Sequence, residues 1–588
     1  MRQTIDDPHE AAPVDDTYER LFLVGVFAFM AVALFVYVWK FGRNVPFWDD
    51  WELVPVLSGH SPFSLEWLWK AHNEHVIPIV RLVVYVVWRI TGDLRAIMLL
   101  TSALLCAGVW ALVETARRMR GHSAFTDAIF PLALLSWGLF ENHIFAMQFF
   151  FVGAALLAIA IVLLGVGDWQ GRPARVAGIA VCLVLLPMFG AIGLALLPCL
   201  LGWVVIAGIQ SLRSGTSCAR REGLTLLAAC AVATAIAAAY VIGFPAGSTG
   251  APRASIVEMA RAASEILSTS IGQAGEKLWP WSTIGTVAVV VAAIVVTVRS
   301  AVRRADERNR AILLLAGIGA LLSLVAAISF GRGAFGHGQG FSNRYALFSA
   351  ALLCISTLSV SIHATGGFGR FVRTGVLLAL TAAFVTNTWA GLVYGIDRAD
   401  RADALTEAID AGAPPDVAAA RHADRLYPIP ALFAERLEML RVARAGPYSR
   451  PQAFPGELPC REVTLPVTRL GEHQIYVDGS TYRAVGNDPF VVFALPASEY
   501  VCGVRLRYTL TNASPEAPAM QLFWANPSDE EFREGRRSTS VSVARTTEVQ
   551  ESTVWIYSSV DRLRIDPDHQ PCTFELHEIT FLVRDRPR

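Results

Sequence analysis

From residue 21 onward, runs of apolar residues alternate with short polar links. The runs lie at 21–39, 94–116, 124–140, 147–166, 176–187, 191–209, 223–243, 281–298, 311–330, 345–363 and 374–393. A helix rises about 1.5 Å per residue, so roughly 20 apolar residues cross the hydrocarbon of a bilayer. The pattern therefore predicts about eleven transmembrane helices. The run 76–90 is shorter and carries Arg81 and Arg89, which predicts an interfacial or re-entrant helix. After residue 396 the pattern changes. Ala-rich stretches with Glu and Arg, broken by Pro414, Pro415, Pro428 and Pro430, read as helical. Beyond Pro451, strand-like runs at 490–494, 501–510, 520–524, 538–543, 554–557 and 573–583 are separated by turn residues. Short strands in succession predict a β-sandwich of jelly-roll type. The expected fold class is thus an α-helical polytopic membrane protein with a C-terminal β-sandwich. The expected division is a cytoplasmic tail (1–20), a transmembrane domain (21–396) with an outer loop (41–93), a helical linker (397–450) and an extracytoplasmic sandwich (451–588).

Composition supports the membrane reading: 54% of the 588 residues are hydrophobic, 17% are charged, and mean hydropathy is +0.44. Formal net charge is +0, so overall charge offers nothing to a nucleic acid, and no nucleic-acid partner is expected. The distribution of charge is more telling. Arg117, Arg118 and Arg120, then Arg172 and Arg175, Arg213, Arg220 and Arg221, the five arginines between 299 and 310, and Arg370 with Arg373 fall in alternate links. If all of these are cytoplasmic, the N-terminus is inside and everything after Tyr394 is outside. Lys40 and Arg43 oppose this rule. The segment 1–19 is acidic, with Arg2 its only Lys or Arg, and does not look like a cleavable signal peptide.

Five cysteines (Cys106, Cys182, Cys199, Cys230, Cys354) lie in apolar runs and read as small buried side chains. Cys218 lies in a basic loop. In an oxidising compartment two of Cys460, Cys502 and Cys572 can pair, and all three pairings stay open.

The expected topology sorts conspicuous polar residues to the outer face. Phe47-Trp48-Asp49-Asp50-Trp51-Glu52 follows the first span directly. Acidic side chains are costly near hydrocarbon, so three carboxylates there point to a task. Such a carboxylate can remove the proton of an acceptor hydroxyl while a phosphate-linked group leaves. Asp49 and Asp50 point in different directions, so one can be the base while the other shapes the site; oxygen ligands also suit Mg²⁺ or Mn²⁺. His72-Asn73-Glu74-His75 offers imidazoles that share a face if the segment is helical. Glu141, Asn142, His143 and Gln148 stand between two apolar runs, where they bind substrate or cap helix ends. The Gly-rich stretch from Gly331 and Arg332 to Asn343, Arg344 and Tyr345 supplies guanidinium forks for a phosphate, with Lys277 a weaker candidate. Trp524, Trp555 and Tyr557 suit either sugar stacking or, as the better reading, the core of the sandwich.

An acidic pair directly after the first span resembles the GT-C superfamily of integral membrane glycosyltransferases. That superfamily includes protein O-mannosyltransferases, oligosaccharyltransferases and mycobacterial arabinosyltransferases. The resemblance implies a polyprenyl-phosphate-linked sugar donor, with Asp49 or Asp50 as the catalytic base. Segment 63–90 resembles the amphipathic helices of the same loop in that class, and the C-terminal sandwich is similar to the carbohydrate-binding-like module of the arabinosyltransferases. The implied activity is inverting transfer to a glycan, lipid or protein acceptor at the outer face of a bacterial inner membrane. Glu52, His72, Glu74, His75, Glu141, His143, Gln148, Arg332, Arg344 and Tyr345 are the expected substrate contacts. Two other classes stay in view. A polysaccharide transporter or flippase needs charges at mid-span, and most runs have Ala, Leu, Val and Gly there. A non-catalytic assembly protein needs only a glycan-binding sandwich.

Overall fold

The computed structural model describes residues 16–73, 75–214, 216–243, 254–364, 366–450, 460–511, 519–532, 537–544 and 546–584. The described chain forms two compact units. One is drawn from 1–42, 64–88 and 95–395, the other from 43–63, 89–94 and 396–588.

The first unit is helical. Among the described residues, nine helical stretches are long and apolar enough to cross a membrane. They are Thr17–Phe41, Arg95–Arg120, Ala146–Val166, Pro173–Arg213, Ser217–Gly243, Trp281–Arg303, Arg308–Phe335, Asn343–His363 and Gly367–Asp410. The chain is thus a multi-pass membrane protein. Two places account for the difference from eleven. Residues 124–140 fold as short pieces, Phe125–Ala128, Ile129–Leu134 and Trp137–Leu139, because Ser136 is extended and caps the next turn through Gly138 N–H. The runs 176–187 and 191–209 are joined by a tight turn, Leu186–Phe189, holding Pro187 and followed by Gly190 at φ 67, a left-handed conformation that suits glycine. Asn343–His363 is buried along nearly its whole length. The Gly190–Arg213 and Ser217–Gly243 helices meet backbone to backbone where a Cβ on Gly223 would come within 2.6 Å of the Gly208 carbonyl. Several basic residues sit in last turns (Lys40, Arg117, Arg118, Arg120, Arg213, Arg303), where they complement the helix dipole.

The second unit joins a β domain to helices Pro415–Leu426 and Pro430–Ala443. Its strands are β1 (Arg461–Val463), β2 (Thr468–His473), β3 (Ile475–Asp478), β4 (Thr481–Ala484), β5 (Phe490–Thr511), β6 (Ala519–Ala525), β7 (Ser538–Ser542), β8 (Thr546–Asp566) and β9 (Thr573–Arg584). All pair antiparallel in one network of order β3-β4-β9-β5-β8-β6-β7, with β1 on β9 and β2 on β5. The two expected strands 490–494 and 501–510 are one long β5. Its register shifts between Ala494 and Glu499, so its first part pairs with β2 and its second with β9. The network closes over Val491, Val504, Leu506, Leu522, Ile556, Leu563, Phe574 and Phe581, all fully buried. Trp524 belongs to this interior, as the better reading expected, whereas Tyr557 is buried outside it, stacked on the exposed Trp555.

Of the three open pairings the structure takes Cys460–Cys502 and leaves Cys572 reduced and buried. The bridge closes 42 residues of chain. Loop-closure entropy assigns such a loop about 4 kcal/mol of stabilisation. Cys460→Ser is therefore expected to lower the unfolding temperature of the β domain by several degrees, read by circular dichroism of the full chain with and without reductant.

Candidate functional site

The acidic segment sits in the second unit as a turn of 3-10 helix, Trp48–Leu53. Asp50 is 1% exposed, and its Oδ2 accepts the Phe47 N–H at 3.2 Å, capping the turn. Asp49 is half-buried. Glu52 accepts from the Tyr427 hydroxyl and from Arg436, whose Nη1 and Nη2 stand 3.3 and 3.4 Å from its two oxygens. Arg436 also donates to the Trp51 carbonyl at 3.2 Å, and Trp51 packs edge-on against Phe433. Burial and the adjoining Glu52 push the Tyr427 hydroxyl up to about 12, and the charge of Asp49 adds to this. Asp49, Glu52, Tyr427 and Arg436 therefore form one electrostatic group. Arg398 lies 4.0 Å over the Phe47 ring, and Arg43 forks onto Asp403 at 2.7 and 3.0 Å. The Arg43 that opposed the charge rule is thus half of an ion pair.

The remaining sequence candidates lie in the first unit. His72-Asn73-Glu74-His75 is not helical. His72 and His75 exchange both backbone hydrogen bonds, at 2.7 and 2.8 Å, across a tight turn with Asn73 at φ 49. An Asn tolerates that left-handed conformation, which closes a two-residue turn and removes the shared helical face. Glu74 lies outside the described residues. His75 Nδ1 accepts the Ala191 N–H at 3.3 Å at the start of the Gly190–Arg213 helix, a capping arrangement. A Cβ on Gly190 would reach within 3.1 Å of His75. Segment 64–91 forms helices Leu65–Trp69 and Pro78–Thr91. Buried Arg81 donates to the carbonyls of Trp67, Leu68 and Lys70 at the end of the first, while Leu82, Val86 and Ile90 of the second point outward.

Glu141, Asn142, Asn343 and Arg344 come together. The Asn343 side chain accepts the Glu141 N–H (3.0 Å) and donates to the Gly138 carbonyl (2.8 Å) and to Gln273 (3.0 Å). Asn142 donates to the Asn343 carbonyl at 3.2 Å, and Arg344 pairs with Glu141 at 3.5 Å. Burial holds the Glu141 carboxyl above its ordinary value, against the pull of Arg344. His143 is buried with Nε2 at 3.0 Å from the Ser136 carbonyl, and burial pushes it down to about 4. Gln148 and Tyr345 are also buried. Arg332 is half-buried, 5.8 Å from the Phe335 ring, and Lys277 is exposed.

Sequence reading missed what holds the Gly-rich loop. Glu265 is wholly buried and accepts the N–H groups of Gly338 (3.1 Å) and Gly340 (3.0 Å), with Arg261 at 3.7 Å. It also missed Tyr427, Arg398 and Arg436, which lie more than 340 residues from the acidic segment in sequence. For metal, the acids beside Asp49 are already engaged: Asp50 with the Phe47 amide, Glu52 with Tyr427 and Arg436. Among the described residues no three His, Cys, Asp or Glu side chains gather as a ligand set. Any Mg²⁺ or Mn²⁺ here would draw on the oxygens of Asp49 and Asp50, and no step below runs through one.

No protein-family model and no curated protein matches the chain. Among solved structures it is similar to the Archaeoglobus fulgidus oligosaccharyltransferase tethered to an acceptor peptide containing the NVT sequon. Identity there is 12% over 69% of this chain and 58% of that one, with a TM-score of 0.38. It is also similar to ArnT from Cupriavidus metallidurans bound to undecaprenyl phosphate, at 14% identity over 74% of this chain and 77% of that one, TM-score 0.37. A third is the arabinofuranosyltransferase AftD from mycobacteria, at 11% identity over 95% of this chain and 59% of that one, TM-score 0.31. The chain thus spans under two thirds of the oligosaccharyltransferase and of AftD.

Proposed function

We propose that this chain moves a sugar from a polyprenyl-phosphate donor to a glycan, lipid or protein acceptor at the outer face of a bacterial inner membrane. Its N-terminus is then cytoplasmic and its β domain extracytoplasmic, where it holds the acceptor. The acceptor hydroxyl attacks the anomeric carbon from the face opposite the phosphate. The sugar–phosphate bond breaks, the configuration inverts, and the hydroxyl proton passes to Asp49. Asp49 is the better base of the pair because it is half-exposed, whereas Asp50 is buried and caps its own turn. Arg344, with Arg332, balances the charge left on the phosphate. Glu52, Glu74, Glu141, Gln148 and Tyr345 shape the binding of donor and acceptor, and His72, His75 and His143 hold the segments that carry them.

The observation that carries this reading is the grouping of half-exposed Asp49 with Glu52, Tyr427 and Arg436 immediately after the first span. A carboxylate open to solvent can take the proton of an incoming hydroxyl. The test is transfer by the full chain in nanodiscs, using labelled polyprenyl-phosphate sugars and an envelope glycan acceptor. A new glycosidic bond is expected. Arg344→Gln is expected to reduce the rate by about tenfold to a hundredfold, chiefly through donor KM. Movement of the labelled lipid across vesicles with no new bond would overturn the proposal in favour of a flippase.

A further inference from the structure

The Gly367–Asp410 helix carries Arg370 and Arg373 close to its start and has no acidic residue in its first turn. A helix N-terminus is already positive, with its first N–H groups unsatisfied, so cations there are unfavourable. Where another helix begins with basic residues, at Arg308–Arg332, Arg310 is answered by Glu307 at 2.6 Å. Among the described residues no carboxylate pairs with Arg373 in this way. It is 9% exposed, and its Nε donates to the Gly369 carbonyl one turn back at 3.2 Å, so the guanidinium lies toward the helix start. Its Nη1 is buried with no hydrogen-bond partner among the described residues.

The charges that act on Arg373 are Arg120, Arg370 and the carboxylate of Asp127. Asp127 is already committed: Arg120 forks onto it at 2.5 and 3.1 Å, and it accepts the Ala124 N–H at 3.1 Å. Among the described residues, three guanidiniums around one committed carboxylate leave an excess of positive charge, and a buried guanidinium N–H left unsatisfied is costly. We infer that Arg120, Arg370 and Arg373, with the first turn of the Gly367–Asp410 helix, bind a phosphate group carried by an anionic phospholipid. Guanidinium forks match phosphate oxygens, and a helix start adds backbone donors. Phe368 and Phe371, which flank exposed Arg370, are themselves exposed, as suits rings set into the boundary of headgroups and acyl chains. That favours a lipid over dissolved phosphate. The site is independent of the proposed glycosyl transfer.

The test is native mass spectrometry of the full chain with phosphatidylglycerol or phosphatidylcholine added in detergent. Retention of phosphatidylglycerol is expected to be about fivefold greater. Arg373→Gln should abolish that preference, and Arg370→Gln, at an exposed position that does not endanger folding, should reduce it about twofold. Arg213→Gln, at the basic end of another helix, should leave it unchanged. A preference that survives both cluster variants, or falls equally in Arg213→Gln, overturns the site. Displacement of the lipid by millimolar inorganic phosphate overturns the lipid as its occupant.

Discussion

Asp49→Asn is expected to lower glycosyl transfer by about a thousandfold while leaving the unfolding temperature unchanged. General-base assistance typically contributes 10²–10⁴ in rate, and asparagine cannot take a proton. The substitution preserves the shape of the side chain at a half-exposed position. Its neighbour should behave in the opposite way. Asp50 is buried, and its carboxylate satisfies the Phe47 amide. Asp50→Ala removes a cap and strands that amide, which costs about 2 kcal/mol. It should lower stability more than it lowers the rate per folded molecule. Single-turnover transfer and thermal unfolding, measured on both variants, separate the two roles. Full activity in Asp49→Asn with loss in Asp50→Asn would move the base to Asp50, and full activity in both would remove the acidic pair from the chemistry.

The largest effect on stability should come from Glu265→Ala. The carboxylate is wholly buried and accepts from Gly338 and Gly340, with Arg261 beside it. Its loss leaves two backbone donors without their acceptor and removes the charge that faces Arg261, a cost of about 3–5 kcal/mol. Glu265→Gln keeps one acceptor oxygen and loses the charge, so it should cost roughly half as much. Hydrogen exchange across 333–342 should rise in both variants, more in the alanine. The loop leads directly into Asn343 and Arg344, so donor KM should rise with exchange if Arg344 holds the donor. Unchanged exchange in Glu265→Ala would mean that the loop keeps its shape without this carboxylate.

Much of this was legible in one dimension. Apolar length gives the spanning helices, since each run must fill the bilayer by itself. Length alone counted poorly at two places: extended Ser136 breaks a run that hydropathy saw as whole, and the turn at Pro187 joins two runs that hydropathy saw as separate. The strands beyond 490 were visible from their apolar content. Strands β1 to β4 were not, since most of their residues are exposed and polar. Asp49, Asp50 and Glu52 stood out by position, and Glu141 with Arg344 by their setting. Tyr427 and Arg436 carried no local signal: one lies in a Pro-broken stretch and the other on an ordinary helix. His72 and His75 were misjudged because Asn73 turns the backbone instead of continuing a helix.

The acidic segment and the side chains that hold it are made at very different moments. Arg436 follows Glu52 by 384 residues. A ribosome adding about 5–20 residues per second needs some tens of seconds to cover that distance. During that interval the first spans can be inserted, while Glu52 still lacks the arginine and the phenol that fix it. A nascent or prematurely terminated polypeptide thus emerges with its acidic segment unbraced until Arg436 has been made.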